Sequence, residues 1–275
     1  MNHQISSFAK INLGLKVLNK RLDNFHNIKS VFIQIDLCDK LTFIPSEKFN
    51  LECDTNNIPT DYHNTIYKAY IMLDDIYSFN KHFTILLNKK IPSKSGLGGG
   101  SSNAAATLVM LNRIHKLNLS NKQLIKLGAK IGSDVPFFIE GGCKLISGRG
   151  EIINTYKAPY LNSLSFLLFF PKFSISTSWA YKKIKNNLDD RLDSTKFPAL
   201  DEVVDWKLFE NSFEKVVGSA YPEILEIKEL LLSTGALYSS LSGSGSTMFG
   251  VYKKEFIKEA NNKLNIYNTL IALPA

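Results

Sequence analysis

Residues 92–103 are Pro92-Ser93-Lys94-Ser95-Gly96-Leu97-Gly98-Gly99-Gly100-Ser101-Ser102-Asn103, and they run straight into Ala104-Ala105-Ala106. An apolar, strand-like segment (83–87) precedes them, and residues 104–114 after them hold strong helix formers and no breaker. Glycines let a backbone approach a ligand closely and turn its N–H groups inward. A helix starting at the end of such a loop adds unpaired N–H groups and a partial positive charge. Ser101, Ser102 and Asn103 add hydroxyl and amide donors. Strand, loop and helix together form a cradle suited to a nucleotide polyphosphate. A flexible surface turn is the bland alternative, but four glycines between a strand and a helix exceed what a turn needs.

Common cradles do not fit. A Walker loop ends in Gly-Lys-Ser/Thr, which is absent here. A dinucleotide fingerprint starting at Gly96 and Gly98 would need a third glycine where Ser101 stands. Neither His-Arg-Asp nor Asp-Phe-Gly occurs, so the protein-kinase set is missing.

Outward from the loop, strands and helices are mixed without a regular βαβ period, which predicts an α+β architecture. Before the loop, residues 7–17, 30–37 and 40–45 predict strands and 64–76 a helix. After it, Ser120 predicts the cap of a helix over 122–131, and Pro136 marks an early helical turn. Strands are expected at 143–147, 151–154 and 165–170, then helices at 178–185, 203–217 and 222–233. Strands at 236–240 and 247–251 flank a Ser/Gly turn, and 256–264 (helix) and 268–273 (strand) close the pattern. The apolar run that ends at Phe170-Pro171 suggests two domains, 1–160 and 161–275.

The 275 residues are 44% hydrophobic and 21% charged, which sets aside disorder, collagen and coiled coil. Three cysteines make no closed disulfide framework and match no zinc spacing, so a cytoplasmic setting is expected. No apolar run approaches the roughly 20 residues of a membrane helix, and the start, Met1 to Ser7, lacks the long apolar stretch of a signal peptide, so none is expected. The net charge of +8 suits an anionic ligand, but its lysines are spread along the chain. Dispersed charge argues against a nucleic-acid-binding module, which would cluster Lys and Arg among aromatics. A small molecule is the expected partner, with no membrane and a monomeric or homodimeric state.

Several single residues stand out. Asp134, in Gly132-Ser133-Asp134-Val135-Pro136, is either a helix N-cap or a carboxylate placed for proton transfer. Lys10 follows an apolar segment and is either solvated at its tip or held against a reacting group. Phe25-His26 suits a planar, hydrogen-bonding ligand, or is an exposed pair after a turn. Tyr181 is either a core aromatic or a ligand-facing ring, and Ser242–Ser246 either a hairpin turn or a close-approach loop.

The glycine loop resembles the ATP loop of the GHMP small-molecule kinases. Four further segments match that family in order: Ala9-Lys10-Ile11-Asn12-Leu13, Arg21-x-Asp23-x-Phe25-His26, Gly132-Ser133-Asp134-Val135-Pro136-Phe137-Phe138, and Leu241-Ser242-Gly243-Ser244-Gly245-Ser246. The set is specific where any one would be weak. The resemblance implies a two-domain α+β kinase that uses ATP, with Mg²⁺ carried by the nucleotide. It points to the branch that phosphorylates the 2-hydroxyl of a cytidylylated methylerythritol in isoprenoid precursor synthesis. Kinases of homoserine or mevalonate type are the alternative within the family.

By that resemblance, Asp134 is the catalytic base and Lys10 the charge that acts with it. Pro92 through Asn103 bind ATP, and Asn64 and Lys89 correspond to adenine-pocket positions. Asn12, Phe25, His26, Thr177, Tyr181, Gly243 and Gly245 correspond to substrate positions, with Phe25 and Tyr181 sandwiching cytosine. Ser102 is a candidate toward magnesium; no acidic ligand stands out, so no protein metal site is expected. Two departures matter. Phe25 replaces the family's usual Tyr, and Ser93-Lys94-Ser95 replaces glycines that usually follow the proline.

Overall fold

A computed structural model describes residues 1–184 and 196–275. Two compact units divide the chain. The first comprises Met1–Ala9, Leu37–Ser93 and Gly98–Gly141; the second comprises Lys10–Asp36, Lys94–Leu97 and Gly142–Ala275. Two long strands, β1 (His3–Lys20) and β2 (His26–Ser46), run through both.

In the first unit, the end of β2 pairs antiparallel with β4 (His82–Asn88), from Lys40 opposite Asn88 to Ser46 opposite His82. Strand β3 (Asn50–Cys53) lies parallel on the other side of β4. Alternation puts Leu41, Phe43, Phe83, Ile85 and Leu87 into the core. Against them pack α1 (Thr65–Tyr77), α2 (Gly99–Ile114), α3 (Asn121–Ile131) and α4 (Val135–Glu140). Helix α1 buries Ile66, Ala69, Tyr70 and Leu73, a spacing of three and four residues that makes one stripe. Ser120 caps α3 as expected, and Gln123 completes a reciprocal capping box.

In the second unit, the start of β2 pairs with β5 (Cys143–Ser147), which pairs with β6 (Ile152–Thr155). A separate antiparallel sheet has the order β10-β7-β9-β8, with β7 at Leu164–Phe169, β8 at Tyr238–Leu241, β9 at Met248–Lys253 and β10 at Thr269–Ala272. One face of it, with Leu167, Phe169, Leu241, Met248 and Tyr252, packs into a core with α5 (Thr177–Lys183), α6 (Ser212–Ala220), α7 (Glu223–Ser233) and α8 (Ile257–Lys263). All six residues of β7 are buried, which explains the apolar run from Phe166 to Phe169; Ser165 is buried with them.

Four expectations need correction. The strands expected at 30–37 and 40–45 are one strand, β2. Strand β3 was not expected: Asn50 and Glu52 are exposed and only Leu51 is fully buried, so its apolar signal is weak. Helix α2 begins at Gly99, inside the glycine run and before Ala104. The helix expected over 203–217 is regular only from Ser212, where the Asn211 side chain accepts the Phe213 N–H; before it lies a short 3₁₀ turn, Trp206–Leu208. Lys185, the last residue of another expected helix, lies outside the described residues. Among the described residues, no helix is long and apolar enough to cross a membrane.

Candidate active site

The phosphate-binding candidate lies in the first unit. Gly98 is the N-cap of α2, with φ +72°. The Ser102 N–H is the first to close a helical bond, to Gly98 O at 2.9 Å. The N–H groups of Gly99, Gly100 and Ser101 form the opening turn, whose donors lie ahead of the helical ladder and point along the positive end of the dipole. Thr65 Oγ1 donates to Gly100 O at 2.6 Å and ties this turn to α1. Below the turn, the Ser7 hydroxyl lies 2.7 Å from both Ser102 Oγ and Asn103 Oδ1. Ser102 and Asn103 are buried, so they brace the cradle from within.

Asp39 was not singled out from the sequence. It is fully buried in β2, and its carboxylate accepts N–H bonds from Lys90 at 2.7 Å and Ile91 at 2.8 Å. Lys89 Nζ pairs with its other oxygen at 2.7 Å. A side chain on Gly99 would come within 3.0 Å of Ile91 and 3.1 Å of Lys89 Nζ, so the segment held by Asp39 underlies the first turn of α2. Lys89 therefore sits beside the cradle, with its charge committed to Asp39. Asn64 caps α1, accepting the Ile66 N–H at 2.8 Å and donating to Pro59 O at 2.6 Å. Asp134 occupies the N-cap position of α4, yet its side chain makes no cap bond. The turn holding it abuts the cradle: a side chain on Gly132 would lie 3.7 Å from Ser101 Oγ.

The second unit assembles the candidates around Lys10. Its ammonium is buried, donates to Gly96 O at 2.8 Å and to Asn12 Oδ1, and lies 4.8 Å from the Phe32 ring centre. Gly96 has φ +80°, and a side chain there would collide with Ser242 O at 1.9 Å, so only glycine fits. The Ser/Gly turn leans on the same group: a side chain on Gly243 would lie 3.4 Å from Asn12 Oδ1 and 3.6 Å from Lys10 Nζ. Asn211, also missed in the sequence, holds that turn by donating to Leu241 O at 3.0 Å and Gly243 O at 2.9 Å. Thr177 and Ser244 hydroxyls meet at 3.0 Å, and Gly245 packs closely against Leu241 and Ile175.

His26 and Tyr181 stack, with ring centres 5.3 Å apart and planes 22° apart. Phe213 meets Tyr181 edge-on at 4.9 Å. Phe25 is 47% exposed, and the Arg149 guanidinium lies 5.2 Å from its centre. Burial pushes the His26 imidazole below its ordinary pKa, and the nearby Lys20 adds to the shift. Pro92, Ser93 and Lys94 are exposed, and Lys94 takes a left-handed backbone, φ +54°. Among the described residues, no three His, Cys, Asp or Glu side chains gather as a metal site.

A glycine cradle on a helix start, a buried lysine and a pair of stacked rings fit a kinase of small molecules. Residues 64–142 match the GHMP kinases N terminal domain and 198–267 the GHMP kinases C terminal. The chain belongs to the GHMP kinases, phosphotransferases with ATP as phosphate donor. It is 41% identical over 262 residues to the 4-diphosphocytidyl-2-C-methyl-D-erythritol kinase of Thermodesulfovibrio yellowstonii, covering 90% of this chain and 89% of that one. The enzyme of the same name from Caldanaerobacter subterraneus is 39% identical over 258 residues, covering 92% of this chain and 88% of its own. A crystal structure of 4-(cytidine 5'-diphospho)-2C-methyl-D-erythritol kinase superimposes with a TM-score of 0.79 at 26% identity, covering 99% of this chain and 100% of that one.

Proposed function

We propose that this chain transfers the γ-phosphoryl group of ATP to the 2-hydroxyl of 4-diphosphocytidyl-2-C-methyl-D-erythritol, in the cytoplasm. The relatives carry that name over about nine-tenths of the chain. The observation that carries the cytidylyl part is the stacked His26–Tyr181 pair near the half-exposed Phe25. Rings in this number suit a nucleobase better than a small acyclic alcohol.

In this reading the opening N–H groups of α2 bind the ATP phosphates. The 2-hydroxyl oxygen forms the new bond to the γ-phosphorus while the bond to the β-bridging oxygen breaks and ADP leaves. Asp134 orients the hydroxyl and takes its proton. Lys10 offsets the negative charge spread over the transferring oxygens. Magnesium carried by the nucleotide would supply further charge neutralisation. Asn12, Thr177, Gly243 and Gly245 approach the substrate, while Phe25, His26 and Tyr181 grip its base.

The test is selectivity. Stacking contributes roughly 1–3 kcal/mol per base. An unpaired buried polar edge adds a penalty of about 1–3 kcal/mol. Methylerythritol phosphate without its cytidylyl group should therefore lose roughly 30-fold to 10⁴-fold in kcat/KM. Tyr181→Ala should erase part of that preference and Tyr181→Phe retain most of it. Equal use of both alcohols by the wild type would remove the cytidine pocket and leave a GHMP kinase for another small alcohol.

A further inference from the structure

We infer that Ser30 is a positioning residue for Lys10 and acts through the Asn12 amide. The inference rests on the reading of Lys10 as the group that stabilises the transferring phosphoryl. Ser30 lies in β2, is fully buried, and hydrogen-bonds with Asn12. Its hydroxyl donates to Gly14 O at 2.5 Å. A carbonyl only accepts, so the single hydroxyl proton is committed there. Toward Asn12, Ser30 can then only accept, and it takes the Nδ2–H at 3.1 Å. This turns Asn12 Oδ1 to the opposite side, where the Lys10 ammonium, a pure donor, meets it.

The sequence Lys10 to Asn12 to Ser30 to Gly14 therefore has one direction, and each donor meets an acceptor. Reversing the amide would set its NH₂ against an ammonium and its oxygen against the Ser30 oxygen. The far end is anchored in backbone: Gly14 has φ +65°, and a side chain there would strike the Phe197 ring at 2.6 Å. Lys10 is 3% exposed, so solvent contributes little to placing its charge. Removing the Ser30 hydroxyl leaves Gly14 O and Asn12 Nδ2 without these partners, and the amide is then held at one end only, by the Lys10 ammonium.

The experiment compares wild type, Ser30→Ala, Lys10→Ala and the double variant, measuring kcat, KM for each substrate and melting temperature. Displacement of a charge by about 1 Å can cost up to about 10²-fold in rate. Ser30→Ala should lower kcat about 10- to 100-fold while KM for ATP stays within about threefold. In the Lys10→Ala background, the same change should alter kcat less than about twofold, because its route to the reaction is gone. Ser30→Cys fills the site with a weak donor and should show the same loss, which covers an alanine variant that fails to fold. A lowered melting temperature with wild-type kcat, or a loss that persists in the Lys10→Ala background, would overturn the inference. Wild-type kcat in Lys10→Ala alone would instead remove the role of Lys10, and this inference with it.

Discussion

Asp134 stands at the start of α4 without spending its carboxylate on the helix. Asp134→Asn keeps the shape and removes the proton acceptor, so turnover should fall about 10²- to 10⁴-fold while ATP still binds. Single-turnover kinetics beside nucleotide titration will show it, and near-normal turnover would end the assignment. Asp134 and Lys10 were legible in the sequence because each lies inside a short motif. Ser30, Asp39 and Asn211 were not. Each is one polar residue in an unremarkable context, and its partners are distant in sequence: 18 residues for the Asn12–Ser30 bond, 50 for Lys89–Asp39 and 32 for Asn211–Gly243. A buried polar residue declares its purpose only when its partners arrive.

At the scale of elements, α1, α3, α7 and most strands were legible from period and caps. The errors fell where a local signal had two meanings. Glycines read as loop up to Asn103, yet Gly99 and Gly100 are the first helical residues of α2, where N–H groups must stay open. Cys38 and Asp39 fell in the gap between two expected strands, yet the Asp39 carboxylate is satisfied by the segment at Lys89–Ile91 and β2 continues through it. Lys94 offers a prediction about the glycine loop. A left-handed backbone costs a non-glycine residue roughly 1–2 kcal/mol. Glycine costs about 0.5–1 kcal/mol more in chain entropy on folding. The first effect is the larger, and the side chain is exposed, so Lys94→Gly should stabilise by about 0.5–1 kcal/mol. Chemical denaturation will measure it; a destabilised variant would mean that Lys94 makes a contact worth more than its backbone strain.

At the scale of the whole molecule, stability should depend on pH through His115. Its ring stacks on Phe79 with centres 3.7 Å apart, and its buried Nε2 has no hydrogen-bond partner among the described residues. Burial holds the imidazole below its ordinary pKa, more than nearby Asp74 lifts it. The unfolded chain therefore takes up this proton first. The stability contributed by the neutral ring is present above about pH 6.5 and is lost as pH falls toward the folded value. His115→Phe keeps the stack and removes the titration, so its melting temperature should fall less between pH 7.5 and 5.5. His26 shifts in the same sense, so the slope should shrink but not vanish. Parallel slopes for the two proteins would exclude His115 as a source. The passage of the chain between its two units has another consequence, in the order of synthesis. The first unit is complete in sequence once Gly141 is made, but Lys10–Asp36 belongs with Gly142–Ala275. Lys10 and Asn12 leave the ribosome early, yet Gly243, which leans on both, is made 233 residues after Lys10. At about 5–20 residues per second, that is a wait of roughly 10–50 s. For that interval a nascent chain carries a lysine and an asparagine, destined for burial, without the turn that covers them.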